Sequence, residues 1–246
     1  MIPYRNIFVA GEGNSFLKAD YNQMELRMAA IVSGDTAMIE DFKNEIDVHL
    51  RTAQIGFEIA IPDFALKMTR PEYGEYKERF QKERNTAKTV NFGIIYGMTK
   101  WGAARRLGVH YDKAQKFIDA FFFIYPDVWR EKQKCAKDVA KKGFVESLFG
   151  RRRRFPSPDA RSGDKAFHFK ISGSCADVMR LAMVECYKAL NLVKCWPVLT
   201  CHDEMVYECL DEYLPIATQI IKEKSEKCVN FSVPLPVELK VCKKYE

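Results

Sequence analysis

Strand-forming segments lie near both ends of this chain, and a long helix-forming stretch separates them. Residues 16–21 (FLKADY) follow a Gly-Glu-Gly-Asn turn and predict a short strand that ends beside an acid. Residues 198–201 and 205–207 predict two strands that meet at a charged turn, and residues 235–242 predict a last strand. Residues 36–150 have mostly helical patterns. This order predicts an α+β fold in which a large helical insertion interrupts an antiparallel sheet with flanking helices.

Helix boundaries follow from residues that interrupt helices. A helical pattern over residues 23–32 should end at Ser33-Gly34-Asp35. The helical middle should break near Pro62, Pro71 and Pro126. Residues 149–163, which include Gly150 and four consecutive arginines, predict a loop. Two further helices are expected at about 174–190 and 212–228.

Composition excludes several classes of protein. The chain has no apolar run of the roughly 18 residues that a membrane helix needs, and its N-terminus lacks the apolar core of a signal peptide. Its eight cysteines form no CxxC pair, which argues against a zinc site or a disulfide framework. We therefore expect a protein of a reducing cytoplasm with no membrane partner.

The positive charge is concentrated in the middle of the chain. Residues 77–170 contain 23 Lys and Arg against 10 Asp and Glu, whereas the rest contains 16 against 23. A basic middle between acidic ends fits a surface for a polyanion beside carboxylates that need a cation. A solvated, lysine-rich helical surface would have the same charge, so the charge alone leaves both interpretations open.

Four residues recur at intervals of four in the segment RNTAKTVNFGIIYG: Arg84, Lys88, Phe92 and Tyr96. This spacing places all four along one stripe of a helix of about 18 Å. The stripe leads from two cations to two aromatic rings, an order that suits a nucleoside triphosphate. Spacing alone favours an ordinary amphipathic helix with core aromatics and solvated cations over a nucleotide-binding helix.

Two acids, Asp20 and Asp203, lie at predicted strand ends. Carboxylates that converge from separate elements are what phosphoryl transfer through two metal ions requires, and Mg²⁺ prefers oxygen ligands. Taken singly, Asp20 could be a helix N-cap, and Asp203 with Glu204 could be a solvated hairpin tip.

Three ordered segments together resemble the motifs of family A DNA polymerases. Residues 20–27 (DYNQMELR) are similar to motif A, residues 84–97 to motif B (RxxxKxxxFGxxYG), and residues 202–204 (HDE) to motif C. Shorter matches lie between them, and the resemblance extends from about Arg5 to Tyr245. It implies a palm at 1–40 and 149–246, and a helical fingers insertion at 41–148.

The resemblance implies a template-directed DNA polymerase that uses two Mg²⁺ ions to transfer a nucleotide from a dNTP to a primer 3′-hydroxyl. Asp20, Asp203 and the backbone carbonyl of Tyr21 would bind the metal ions, and Lys88 and Glu204 would be further catalytic residues. The residues implied for nucleotide binding are Arg84, Lys88, Phe92, Tyr96, His49, Glu25 and Gln23. Those implied for primer–template contact are His202, Arg151, Arg152 and Arg153. Among the residues implied for nucleotide binding, Glu25 matches the gate that excludes a ribose 2′-hydroxyl.

Some positions depart from the family pattern. Asn85 replaces a common basic residue, Ser172 lies where glutamine is usual, and His168 lies where asparagine is frequent. We also expect no thumb in this chain, so it would be a fragment or one half of a split polymerase whose partner chain supplies a thumb or exonuclease. The alternative is a catalytically silent DNA-binding subunit that needs a partner chain. The predicted location is the cytoplasm of a bacterial or phage-infected cell.

Overall fold

The computed structural model describes residues 7–245. Within that range the strands are β1 (Asn14–Tyr21), β2 (Phe144–Glu146), β3 (Arg152–Arg154), β4 (Cys195–Cys201), β5 (Glu204–Leu210) and β6 (Val237–Cys242). The α-helices are α1 (Met24–Ser33), α2 (Thr36–Lys43), α3 (Val48–Gly56), α4 (Tyr73–Arg79), α5 (Gln81–Ile95), α6 (Lys100–Leu107), α7 (Tyr111–Ile124), α8 (Pro126–Lys142), α9 (Ser162–Ala189) and α10 (Leu214–Glu226). Among these, no helix is both long and apolar enough to cross a membrane. The predicted start of the family resemblance, at Arg5, lies outside the described residues.

The main sheet has four antiparallel strands in the order β4-β5-β1-β6. β1 lies in its interior, and all of its side chains except those of Asn14 and Asp20 are buried. Strands that are buried on both faces lose the alternation of polar and apolar residues, which explains the nearly continuous apolar run around Leu17 and Ala19. The expected antiparallel sheet is therefore present, and β1, β4 and β5 each extend beyond the short predicted segments.

The chain divides into two compact units. One unit consists of the chain up to Met24 together with Cys175 onward, and it contains the four-stranded sheet and α10. The other unit, Glu25–Ser174, contains the mostly helical middle and the β2–β3 hairpin. The assignment of residues 1–40, 41–148 and 149–246 to palm and fingers concerns function, and it stays a prediction.

The loop predicted at 149–163 is wrong in part, because β3 lies within it and pairs with β2. A cross-strand ion pair joins Arg152 to Glu146 at 2.7 Å, and the Arg152 guanidinium also stacks over Phe144, 4.7 Å from the ring centroid. These contacts stabilise a hairpin that three consecutive arginines did not suggest.

The helix predicted from about Ser174 instead begins at Ser162. The first turn of α9 contains Gly163, and glycine is a weak helix former. In the fold, a Cβ atom on Gly163 would lie 2.7 Å from the Cβ of Ala136. Close packing against α8 therefore requires the small residue and offsets its low helix propensity.

Candidate active site

The row of acids across the main sheet begins with Asp20, the exposed residue near the end of β1. The strand register places Asp20 directly opposite Glu204 of β5 on one side and Glu238 of β6 on the other. Directly opposed residues of an antiparallel sheet project from the same face, where like charges repel. Three carboxylates therefore lie side by side on one face of the sheet.

Asp203 adds a fourth carboxylate to this row from the turn between β4 and β5. The turn is sharp because His202 adopts a left-handed backbone conformation with φ of 58°. The backbone N–H of Tyr21 donates to the carbonyl of Asp203 at 3.3 Å, which holds the turn against the end of β1. Burial, together with the charges of Asp203, Glu204 and Glu238, raises the pKa of Asp20 to about 6.

Glu204 differs from the other members of the row because it has partners of its own. Its Oε2 lies 3.0 Å from Nζ of Lys18, and its Oε1 accepts a hydrogen bond from the Tyr245 hydroxyl at 2.9 Å. Lys18 also lies 5.0 Å above the Tyr245 ring. Lys18 was not among the predicted residues, although its position two residues before Asp20 places it on the same face of β1.

The donor set of this row fits a hard divalent cation. The carboxylates of Asp20 and Asp203 supply oxygen. The pKa of Asp20 is raised by burial and by neighbouring negative charges that Lys18 does not fully offset. Within residues 7–245, no three or more His, Cys, Asp or Glu side chains are grouped so that together they could hold a metal ion. That absence is compatible with Mg²⁺, which often takes one or two carboxylates and completes its shell with water and substrate oxygens.

Helix α5, in the other unit, carries the predicted stripe of cations and aromatics. Lys88 is exposed and Phe92 is half-buried. Tyr96 follows the last helical residue as the C-cap. It continues the stripe because its N–H donates to the Phe92 carbonyl at 3.2 Å, as in a helix. Gly97 ends the helix with φ of 72°, and a Cβ there would lie 2.6 Å from the Cβ of Asp164. The periodicity of the segment therefore predicted the helix correctly up to its last turn.

Arg84 forms an ion pair that the sequence did not indicate. Its Nε lies 2.6 Å from Oδ2 of Asp47, a fully buried carboxylate that also caps α3. Burial raises the pKa of Asp47, but the charge of Arg84 and the hydrogen bond from Tyr73 outweigh it and hold that pKa below its usual range. The Arg84 side chain is 14% exposed to solvent.

His49 is buried, with 1% of its surface exposed, beside the stripe of α5. Its ring centroid lies 5.6 Å from that of Phe92, and its Nδ1 lies 3.2 Å from the side-chain nitrogen of Asn91. Burial lowers the pKa of His49 to about 4, because the charge of Asp47, which raises it, is opposed by the charges of Arg84 and Lys88; the ring is therefore neutral at pH 7.

Glu25 and Tyr96 are joined directly. The Tyr96 hydroxyl lies 2.8 Å from both carboxylate oxygens of Glu25, and the Tyr96 ring packs against His168 with centroids 4.7 Å apart. Tyr96 nevertheless remains 54% exposed. His168, noted above as a departure from the family pattern, is thus a neighbour of the predicted gate.

The remaining predicted residues are more dispersed. Arg151 donates to the Gly173 carbonyl at 2.6 Å, Arg152 pairs with Glu146, and Arg153 lies over the Phe155 ring. His202 is exposed at its turn. Gln23 has a left-handed backbone with φ of 54°, and its Oε1 has no hydrogen-bond partner among the described residues.

The predicted residues thus form two sets, one in each unit. The set in the sheet unit contains Asp20, Tyr21, Gln23, His202, Asp203 and Glu204. The set in the helical unit contains Glu25, His49, Arg84, Lys88, Phe92, Tyr96 and Arg151–Arg153. Lys18, Asp47, Asn91 and Glu238 were missed, because their roles depend on partners that are distant in the sequence.

Comparisons with known proteins agree with the motifs. The chain is 35% identical to DNA polymerase I of Caldicellulosiruptor bescii and 34% identical to the thermostable DNA polymerase I of Thermus aquaticus, over 96% of this chain and 27% of each relative. Its fold matches the POL domain of Pol1 from M. smegmatis, solved in complex with DNA primer-template and dNTP, with a TM-score of 0.84 and 25% identity. That match covers 98% of this chain and 42% of the other.

The chain thus spans about a quarter of the length of these curated relatives. The model of the family described as DNA polymerase family A matches residues 2–246. This match covers the acid row and the α5 stripe together, so the chain belongs to DNA polymerase family A.

Proposed function

We propose that this chain is the catalytic core of a template-directed DNA polymerase, which transfers a nucleotide from a dNTP to a primer 3′-hydroxyl. The observation that carries the proposal is the acid row, in which Asp20 lies between Glu204 and Glu238 and beside the turn of Asp203. Repulsion among these carboxylates destabilises the sheet unless a cation offsets it. The family membership and the polymerase I relatives support the same activity.

Asp20, Asp203 and the Tyr21 carbonyl would hold two Mg²⁺ ions. These ions would supply an activated 3′-hydroxyl and charge neutralisation at the leaving pyrophosphate. Lys18 has a separate task in this scheme: by pairing with Glu204 at 3.0 Å, it keeps that carboxylate oriented within the row. Glu204 would then shape the electrostatic field around the metal ions as an anion with fixed partners.

The helical unit would bind the incoming nucleotide. Arg84, Lys88 and His49 would donate to the triphosphate, and exposed Lys88 would also deliver a proton to the departing pyrophosphate. Phe92 would stack on the base. Glu25, held by the Tyr96 hydroxyl, would occupy the space that a ribose 2′-hydroxyl needs.

In this proposal residues 1–40 and 149–246 act as the palm, and residues 41–148 act as the fingers. Primer–template DNA would contact His202 and Arg151–Arg153, with phosphate contacts that weaken as salt rises. A chain that carries a thumb or exonuclease is the partner we expect.

The test is primer extension with Mg²⁺, with and without an added thumb-bearing chain. Asp203→Ala should lower extension at least about a hundredfold, the scale of losing a major electrostatic contribution to a transition state. Asp211→Ala is the matched control, because Asp211 lies in the same unit but pairs with Lys243 outside the acid row. Extension that survives Asp203→Ala would overturn the mechanism. DNA binding by the intact chain without extension in either condition would instead identify a silent subunit.

A further inference from the structure

Asp47 is a buried carboxylate that joins three helices of the helical unit. Its Oδ1 accepts hydrogen bonds from the backbone N–H groups of His49 (2.9 Å) and Leu50 (3.1 Å), at the start of α3. Its Oδ2 accepts from the Tyr73 hydroxyl (2.7 Å) and from Nε of Arg84 (2.6 Å). All four donors therefore converge on one side chain that has no solvent exposure.

This pairing uses a single nitrogen of the Arg84 guanidinium. A guanidinium is a rigid planar fork with five N–H donors, so a bond at Nε fixes its orientation, and the edge formed by the two Nη nitrogens is not used by Asp47. That edge has the geometry that binds a phosphate through two parallel hydrogen bonds. Asp47 also caps the helix that begins at Val48 and carries His49, so it fixes the backbone of a second predicted triphosphate ligand.

We propose that Asp47 is a positioning residue for triphosphate binding, which acts by holding Arg84 in the orientation that presents its two Nη nitrogens to phosphate. The inference rests on the proposed function only in that the ligand is a triphosphate.

A purely structural role for Asp47, as a helix cap, makes a different prediction. Asp35 caps α2 in the same way, accepting from Met38 N at 2.9 Å with one oxygen and from Asp127 N at 2.9 Å with the other. Asp35 is equally buried, and no cation pairs with it within the described residues. If capping were the whole role, the same substitution at either aspartate would have the same consequence.

The experiment compares Asp47→Asn with Asp35→Asn in the full chain. Asparagine keeps the oxygen that caps each helix and replaces the second oxygen with an N–H donor, which cannot accept from Arg84. Binding of inorganic tripolyphosphate with Mg²⁺ is measured by calorimetry, and KM for dNTP is measured separately from kcat. We expect Asp47→Asn to weaken tripolyphosphate binding about tenfold and to raise KM similarly, whereas Asp35→Asn changes either by less than about twofold.

A double-mutant cycle shows whether Asp47 acts through Arg84. Asp47→Asn should have little further effect once Arg84→Ala is present. Arg84→Lys, which keeps the charge but has only one nitrogen, should weaken binding although Asp47 is intact. Equal effects of Asp47→Asn on both backgrounds, or equal effects of the two Asp→Asn substitutions, would overturn the inference. So would the absence of saturable tripolyphosphate binding by the unaltered chain. Failure of primer extension with normal tripolyphosphate binding would count only against the proposed function.

A second, independent observation concerns the proton on His49. Asn91 is fully buried, and its side-chain nitrogen lies 3.2 Å from His49 Nδ1 and 3.1 Å from Thr52 Oγ1. The Thr52 hydroxyl uses its hydrogen on the Val48 carbonyl at 2.8 Å, so Thr52 accepts from Asn91. If the Asn91 amide were turned by 180°, its two N–H groups would lack acceptors. In the present orientation only its Oδ1 lacks a partner among the described residues.

An amide N–H₂ can only donate, so His49 Nδ1 must accept and cannot carry a proton. We infer that Asn91 sets the tautomer of His49, leaving a neutral ring whose proton is on Nε2, available as a hydrogen-bond donor to phosphate. Asn91 is thus a positioning residue that acts through His49.

The test is nitrogen-15 NMR of the full chain with labelled histidine. The chain has four histidines, so His49→Gln identifies the His49 signals. We expect protonated Nε2 and unprotonated Nδ1 throughout pH 6–8. Asn91→Asp, whose carboxylate accepts a hydrogen bond, should shift the proton to Nδ1, whereas Asn85→Asp, which adds the same charge on the exposed side of α5, should not. Protonated Nδ1 in the unaltered chain, or the same tautomer in Asn91→Asp, would overturn the inference.

Discussion

Replacement of Asp20 by asparagine should stabilise the metal-free protein at neutral pH while abolishing primer extension. The pKa of Asp20 is raised from 3.8 to about 6 by burial and by the charges of Asp203, Glu204 and Glu238. The folded protein therefore holds the Asp20 proton more tightly than the unfolded chain does. The stabilisation from this proton is fully present below about pH 3.8 and is lost as the pH rises through about 6.

The shift sets the size of the effect. Two pKa units correspond to about 3 kcal/mol at 1.36 kcal/mol per unit, which is the upper limit of the cost of ionising Asp20 in the fold. Neighbouring groups bury only part of Asp20 and the residue as a whole is exposed, so solvent screens its charge and we expect about 1 kcal/mol. The described structure contains no hydrogen bond to the Asp20 carboxylate that asparagine would remove.

The assay is urea unfolding in the presence of a chelator at pH 7.5 and pH 4. With an m value of about 3 kcal/mol per molar urea, the midpoint of Asp20→Asn should rise by about 0.3 M at pH 7.5 and by clearly less at pH 4, where Asp20 is protonated in the folded protein. Mg²⁺ should raise the midpoint of the unaltered protein at pH 7.5 more than that of the variant.

Asp159→Asn is the control with the opposite electrostatic environment. Hydrogen bonds from Lys165 and Ser162 lower the pKa of Asp159 to about 2, so its replacement should give no stabilisation at pH 7.5. A midpoint for Asp20→Asn that is unchanged at pH 7.5, or that shifts equally at both pH values, would refute the argument from repulsion.

Three further predictions concern the helical unit. Phe92→Tyr should improve incorporation of dideoxynucleotides, measured by chain termination against the unaltered protein; no improvement would count against the position of Phe92 at the incoming nucleotide. Glu25→Ala should raise ribonucleotide incorporation by about two orders of magnitude or more if it removes the excluding side chain, and Tyr96→Phe should raise it less, because it removes only the hydroxyl that holds Glu25. Equal discrimination against ribonucleotides in all three proteins would contradict the gate. Tyr125→Phe removes the buried 2.7 Å hydrogen bond to Asp41 and should lower the free energy of unfolding by about 1–2 kcal/mol, measured by urea denaturation; an unchanged value would show that Asp41 is satisfied without Tyr125.

The local elements of this protein follow from its sequence. The apolar run before Asp20 predicted β1, the four-residue spacing of Arg84 to Tyr96 predicted α5, and Ser33-Gly34-Asp35 predicted the end of α1. Each of these features depends on residues within a few positions of one another, where backbone preference and hydrophobic periodicity are sufficient. Each family motif likewise consists of residues that are close to one another in the sequence.

Contacts between distant segments were decided only by the tertiary structure. Asp20 is opposite Glu204 and Glu238 because three strands pair in one register, and their positions in the chain do not specify that register. The Asp47–Arg84 pair depends on how α3 packs against α5. Helix α9 begins early because Gly163 packs closely against Ala136. The sequence therefore identified the side chains that are candidates for the chemistry, whereas packing and register determined their electrostatic partners, because Coulomb and hydrogen-bond energies depend on distance in space rather than separation along the chain.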